Sequence, residues 1–135
     1  MRPGSAVIWE VGGLFNVFYY MLNNEGSAAT TANLAVVHTG VTGTKILKAA
    51  VGDAGKALFA GVAQAAVTAA RYGLFLRRGV GSYVADATVA VGDQLILGST
   101  TAGRLKVKSA ATEYVVAQAL ETASAGNTKI CEFVG

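Results

Sequence analysis

The chain of 135 residues has one cysteine, Cys131, one histidine, His38, and one proline, Pro3. A single thiol closes no intrachain disulfide, so a disulfide-stapled scaffold is excluded and a reducing assembly environment is the default. The lone imidazole and the lone thiol lie far apart in sequence, and the eight carboxylates form neither an Asp-x-Asp nor a His-Glu-x-x-His cluster, which leaves metal chemistry without ligands. Charged residues are scarce at 14%, against roughly 25% in an ordinary soluble domain, so much of the surface is neutral or apolar, of the kind that partners cover. Basic clusters are scarce too. The net charge is +3 and Arg77-Arg78 is the one adjacent basic pair, so nothing marks a nucleic-acid binder. Long apolar runs are missing as well: Glu10, Gly12, Gly13 and Asn16 interrupt Ala6 to Leu22, too broken for a signal core and too short and polar to span a bilayer.

What is present is glycine, 17 residues of it, in a chain that is 53% hydrophobic. That pattern predicts many tight turns and argues against a helical bundle or a disordered tail. The length is about one domain's worth, with no room for a separate catalytic module. Two parts are expected. Residues 1–33 read as an aromatic arm and linker, because Trp9, Phe15, Phe18, Tyr19 and Tyr20 hold five of the eleven aromatics, Asn23 to Gly26 are turn residues, and Ser27 to Asn33 are small and polar. The aromatics suit either a first strand tucked into the chain's own core or an arm buried on a neighbour.

Residues 34–135 read as a body of short strands. Arg104-Leu105-Lys106-Val107-Lys108 alternates cleanly, with Leu105 and Val107 on one face and three cations on the other. Val84 to Val91, Gln94 to Leu97, Tyr114 to Leu120 and Thr128 to Val134 behave similarly, bounded by Gly92-Asp93, Gly98-Ser99 and Gly126-Asn127. The run Ala60 to Arg71 favours helix by propensity. A repeat argues otherwise: Val62-Ala63-Gln64-Ala65 recurs as Val116-Ala117-Gln118-Ala119, an offset of 116 − 62 = 54. Since the second copy leads into a plain turn at Ser124 to Asn127, the first is read as strand, turn near Thr68 to Arg71, and strand through Leu76. The fold class expected is all-β, a small barrel or sandwich of short antiparallel strands with an aromatic N-terminal arm.

Catalytic constellations are hard to assemble. A Ser-His-Asp triad would depend on His38, at the end of a strand in Val36-Val37-His38-Thr39-Gly40, and there is no Gly-x-Ser-x-Gly elbow. Gly52-Asp53-Ala54-Gly55-Lys56 lacks the spacing and the following Ser or Thr of a phosphate loop. Cys131 shares a face with Phe133 and reads as a small buried thiol. Tyr72 to Arg78 is the one run that mixes aromatics with cations as a single-strand platform does. The reading is a non-enzyme with no catalytic residue, metal or cofactor, and with no nucleic-acid or membrane partner.

Four stretches taken in order, Arg71-Tyr72-Gly73-Leu74-Phe75, then Val84 to Leu95 with its Val91-Gly92-Asp93-Gln94-Leu95, then Val115 to Gly126 with Ala119-Leu120-Glu121, and last Glu132-Phe133-Val134-Gly135, resemble tailed-phage capsid cement, or head decoration, proteins. The resemblance covers roughly residues 55–135 and departs from the family where Val115-Val116-Ala117-Gln118 replaces a usual glycine. It implies a small barrel or tulip-like body, commonly trimeric, assembled in the host cytoplasm and placed on the outer surface of the expanded head, where it locks major capsid protein subunits together. On that expectation Trp9, Phe15, Phe18, Tyr19 and Tyr20 are the anchors on the capsid or on a neighbouring subunit. Two other readings stay open: another virion subunit, such as a head-fibre base or tail accessory, and a small-ligand or glycan-binding barrel.

Overall fold

The computed structural model describes residues 2–11, 14–25, 30–39, 45–48, 59–97 and 101–134. Over these the protein is all-β. Its strands are β1 (Ala6–Val11), β2 (Leu14–Asn23), β3 (Ala35–Thr39), β4 (Lys45–Lys48), β5 (Phe59–Ala63), β6 (Tyr72–Val84), β7 (Gln94–Ile96), β8 (Lys106–Val107), β9 (Val115–Ala119) and β10 (Thr128–Phe133). They pair in the order β1-β2-β4-β3-β5-β6-β10-β9-β7-β8, and a further β2–β6 pairing closes β2, β4, β3, β5 and β6 into a ring. The pairings are antiparallel except β2 with β4, where Leu22 meets Lys45 and Asn23 meets Ile46 in parallel.

The 13-residue β6 belongs to both halves of the molecule. Its first part lies against β2 and β5, and its second part, Gly79 to Val84, pairs with β10. Beyond the last β2–β6 and β5–β6 pairs the ladder is continued by side chains. The Asn16 amide donates to Val80 O at 3.4 Å and accepts from Val80 N–H at 3.0 Å. Gln64 does the same at Ser82, donating at 3.2 Å and accepting at 3.0 Å. A side-chain amide carries the same donor and acceptor pair as a peptide, so each one stands in for a cross-strand backbone partner and pairs the N–H and C=O of Val80 and of Ser82. Gly79 makes room for the first clamp: its φ is +115° and a Cβ would land on Asn16 Oδ1.

Hairpins β5–β6 and β9–β10 share one plan. Their connections, 64–71 and 120–127, match at an offset of 119 − 63 = 56, two more than the offset of the repeated words. Each turn is closed by a 4-residue bond, Arg71 N–H to Thr68 O at 3.1 Å and Asn127 N–H to Ser124 O at 3.0 Å. Each has a left-handed residue at the equivalent place, Ala70 at φ 59° and Gly126 at φ 81°. Alanine's helix propensity is overridden by tertiary packing, since Ala60 and Ala63 are wholly buried between strands.

One expectation needs correction. The Val84 to Val91 segment is not a continuous strand: β6 ends at Val84, and Ala85 and Val89 make isolated bridges to Leu105 and Ala123. The segment read as a linker is tied down where it is described. Thr30 is buried, its Oγ1 accepts from Val67 N–H at 2.7 Å, and Asn33 N–H donates to Ala63 O at 2.6 Å. Small polar residues anchor here through hydrogen bonds rather than bulk. Residues 27–29 of that segment, the stretch Gly52 to Lys56 and Gly98-Ser99 lie outside the described residues.

The main core joins both halves, with Phe59, Val62 and Leu76 from the ring meeting Tyr83, Leu95, Val116, Cys131 and Phe133. Phe59 and Phe133 stack with ring centres 6.0 Å apart. A second cluster of Met21, Val36, Ile46, Ala60, Ala63 and Phe75 fills the ring's other face. As expected, Leu105 is buried and Val107 packs on the main core, while Cys131 and Phe133 point inward and Ile130 outward.

Candidate functional site

The five N-terminal aromatics sit on the β1–β2 hairpin, and β2 is itself a wall of the ring, pairing with β6 from Leu22↔Tyr72 to Val17↔Arg78. Their environments differ. Phe18 packs on the main core and Tyr19 on the second cluster. Tyr20 stacks on Tyr72 at 5.3 Å. Trp9 and Phe15 stay 60% and 61% exposed, although Trp9 meets the edge of Phe18 at 5.7 Å. Cross-strand pairing puts Trp9 opposite Asn16 and Phe15 opposite Glu10, so the two exposed rings face opposite sides of the hairpin. Ile8, 62% exposed, is on the Phe15 side, opposite Val17.

Phe15 leads into a groove of about 370 Å3 that it lines together with Arg78, Gly79, Val80, Glu132, Phe133 and Val134. Val134 is exposed there as well. The sequence did not mark this place, because it joins β2, β6 and β10, which are distant in the chain. A second cleft of about 440 Å3, on the opposite hairpin ends, is lined by small residues such as Thr88, Ala90, Thr122 and Ser124, with Lys129 at its side. Its Asn127 Oδ1 already accepts from Ser124 N–H at 3.0 Å, which engages the amide in its own turn.

Reactive groups are placed for packing. Cys131 is buried, and desolvation pushes its thiol well above the usual range. The Tyr83 hydroxyl is buried with no hydrogen-bond partner among the described residues, and burial, with smaller repulsion from Cys131, Asp93 and Glu121, pushes it up to about 12. His38 lies in β3 opposite Ile46. Among the described residues no three His, Cys, Asp or Glu side chains gather where they could hold a metal ion, and no helix is long and apolar enough to cross a membrane.

No protein-family model matches the chain, and no curated protein matches its sequence. Among solved structures it is similar to the head fiber gp8.5 N base in bacteriophage phi29, with a TM-score of 0.61 over 87% of this chain and 93% of that one. The two are 16% identical, so what they share is the fold.

Proposed function

We propose that the protein is a structural subunit of a phage virion, a small β body held on the outer surface of the head in the manner of a head-fibre base. The observation that carries this reading is the fold likeness, which spans nearly all of the phi29 head-fibre base. The surface is in keeping with it. An exposed hairpin bearing Ile8, Trp9 and Phe15 and a groove running to Val134 present apolar area suited to a protein partner. Capsid cement is the second reading, favoured by the ordered motifs between residues 55 and 135. Under either reading the partner is the major capsid protein, the oligomer is a homotrimer, and the protein works by adding interface area rather than by catalysis.

The test is co-sedimentation of the full chain with bare expanded capsids, followed by light scattering of the free protein and image reconstruction of decorated shells. Saturable binding on the outer surface supports the proposal. Density between neighbouring capsid subunits, locking them, selects cement, and an isolated footprint with a projecting body selects a fibre base. No binding to any shell overturns both.

A further inference from the structure

We propose that Arg77 and Arg78 form a carboxylate-binding site that receives an acidic side chain of the docked protein partner. The first observation is a β-bulge. Phe18 pairs with Leu76, but the next pair is Val17 with Arg78, so Arg77 is an extra residue in β6. In a regular strand successive side chains point to opposite faces. Here Leu76 goes with Phe18 to one face, Arg77 turns to the other, and Arg78 joins it there because cross-strand partners share a face. Both arginines consequently line one cavity of about 300 Å3 with Val17 and Tyr19.

The second observation is that this cationic pair has no counter-ion among the described residues. Arg77 Nη1 is buried without a hydrogen-bond partner among the described residues, while its guanidinium carbon lies 5.0 Å from the centre of the Phe59 ring. The stacking holds the guanidinium in place and leaves Nη1 without a protein partner among the described residues. Among the described residues neither arginine has an ion pair. Glu132, which lines the adjoining groove with Arg78, makes none with it, and Glu10, on the same face of the hairpin, makes none either. A cavity lined by two arginines, with no acid among its described lining residues, matches an oxyanion.

A protein carboxylate fits better than nucleic acid. A phosphate backbone is tracked by a row of cations, whereas the described residues that line the cavity and groove beside this pair are mostly apolar, Val17, Phe15, Phe133 and Val134 among them, and include the acid Glu132. Arg78 belongs to both the cavity and the apolar groove, so an acidic residue next to large apolar ones would fill both at once. This inference rests on the docking reading above for the partner, but not for the site itself.

The experiment has two arms on the full-length protein. In the first, the 15N-labelled chain is titrated with the capped peptide acetyl-Val-Asp-Phe-amide, its Asn isostere, inorganic phosphate and a single-stranded thymidine oligonucleotide, and the arginine Nε–H resonances are followed. The expected result is saturable movement of the Arg77 and Arg78 signals with the Asp peptide alone, weakened roughly tenfold in Arg78→Lys, which keeps the charge and loses the fork. Equal movement with the isostere, no saturation, or tighter binding of phosphate or oligonucleotide overturns the proposal. Arg78 is exposed, so this variant leaves the core intact. In the second arm, wild type and Arg77→Lys/Arg78→Lys are sedimented with capsids. Weaker pelleting of the variant supports the site. Equal pelleting overturns its docking role and leaves the head-surface reading standing, while failure of the wild type to pellet sinks that reading and leaves the peptide titration to decide the site.

Discussion

Asn16 and Val80, 64 positions apart, pair as if both were backbone, the amide of one taking the N–H and C=O of the other at 3.0 and 3.4 Å. The pair locks the β1–β2 hairpin to the second half of β6. Asn16→Ala leaves the two Val80 groups without their partner and is expected to cost about 1–3 kcal/mol. Gly79→Ala should cost a similar amount, since the new methyl meets Asn16 at a left-handed φ. Urea unfolding of both singles and the double should give a sum well short of additive. An additive result would mean the clamp and the glycine act separately.

The two matched turns predict opposite signs for opposite exchanges of alanine and glycine. Ala70 occupies a left-handed position where a Cβ is strained, so Ala70→Gly is expected to stabilise by about 0.5–1 kcal/mol. Gly126 holds the equivalent place in the second hairpin, and Gly126→Ala is expected to destabilise by about 1 kcal/mol. Thermal unfolding of the two variants reads both signs.

Exposed and packed aromatics should separate binding from folding. Phe15→Ala is expected to change stability by under about 0.5 kcal/mol, because the ring is mostly in solvent. Phe18→Ala removes a partly buried ring packed against the main core and is expected to cost about 2 kcal/mol or more. Capsid sedimentation of Phe15→Ala, a variant that folds, then reports the docking contribution of that face alone.

Alkaline pH should unfold the protein through two buried acids. Tyr83 titrates normally in the unfolded chain but is pushed up to about 12 in the fold, and Cys131 is raised above the usual thiol range too. Both are neutral in each state at neutral pH, so their burial is tolerated there. As pH rises through the ordinary thiol and phenol values the unfolded chain loses protons first, and stability falls, for Tyr83 between about 10 and 12. Denaturant midpoints across this range should drop steadily, and Tyr83→Phe, which removes the unpartnered hydroxyl, should flatten the upper part of the decline. The Cys131 thiol should stay unreactive to aromatic disulfide reagents until the protein unfolds.

How much of this was legible beforehand depends on the range of the interaction. Alternation in Arg104 to Lys108 and in Lys129 to Phe133 marked the inward residues correctly, because a strand's two faces are a property of adjacent residues. The repeated Val-Ala-Gln-Ala words likewise pointed to two hairpins of one plan against the helix propensity of the alanines. The Arg77-Arg78 pair was visible as an adjacent pair, but period two would have sent its members to opposite faces.

The sequence by itself determined that the chain is all-β, where most of its strands and turns lie, and that Cys131 is buried. Tertiary structure alone decided that β2 closes on β6, that Phe18 and Tyr19 pack while Trp9 and Phe15 stay exposed, and that a bulge gathers two arginines over one cavity. The reason is that periodicity encodes which face a residue takes on its own strand, whereas the partner strand and its register come from burying side chains tens of residues away, and one extra residue in that pairing reverses the faces that periodicity assigns.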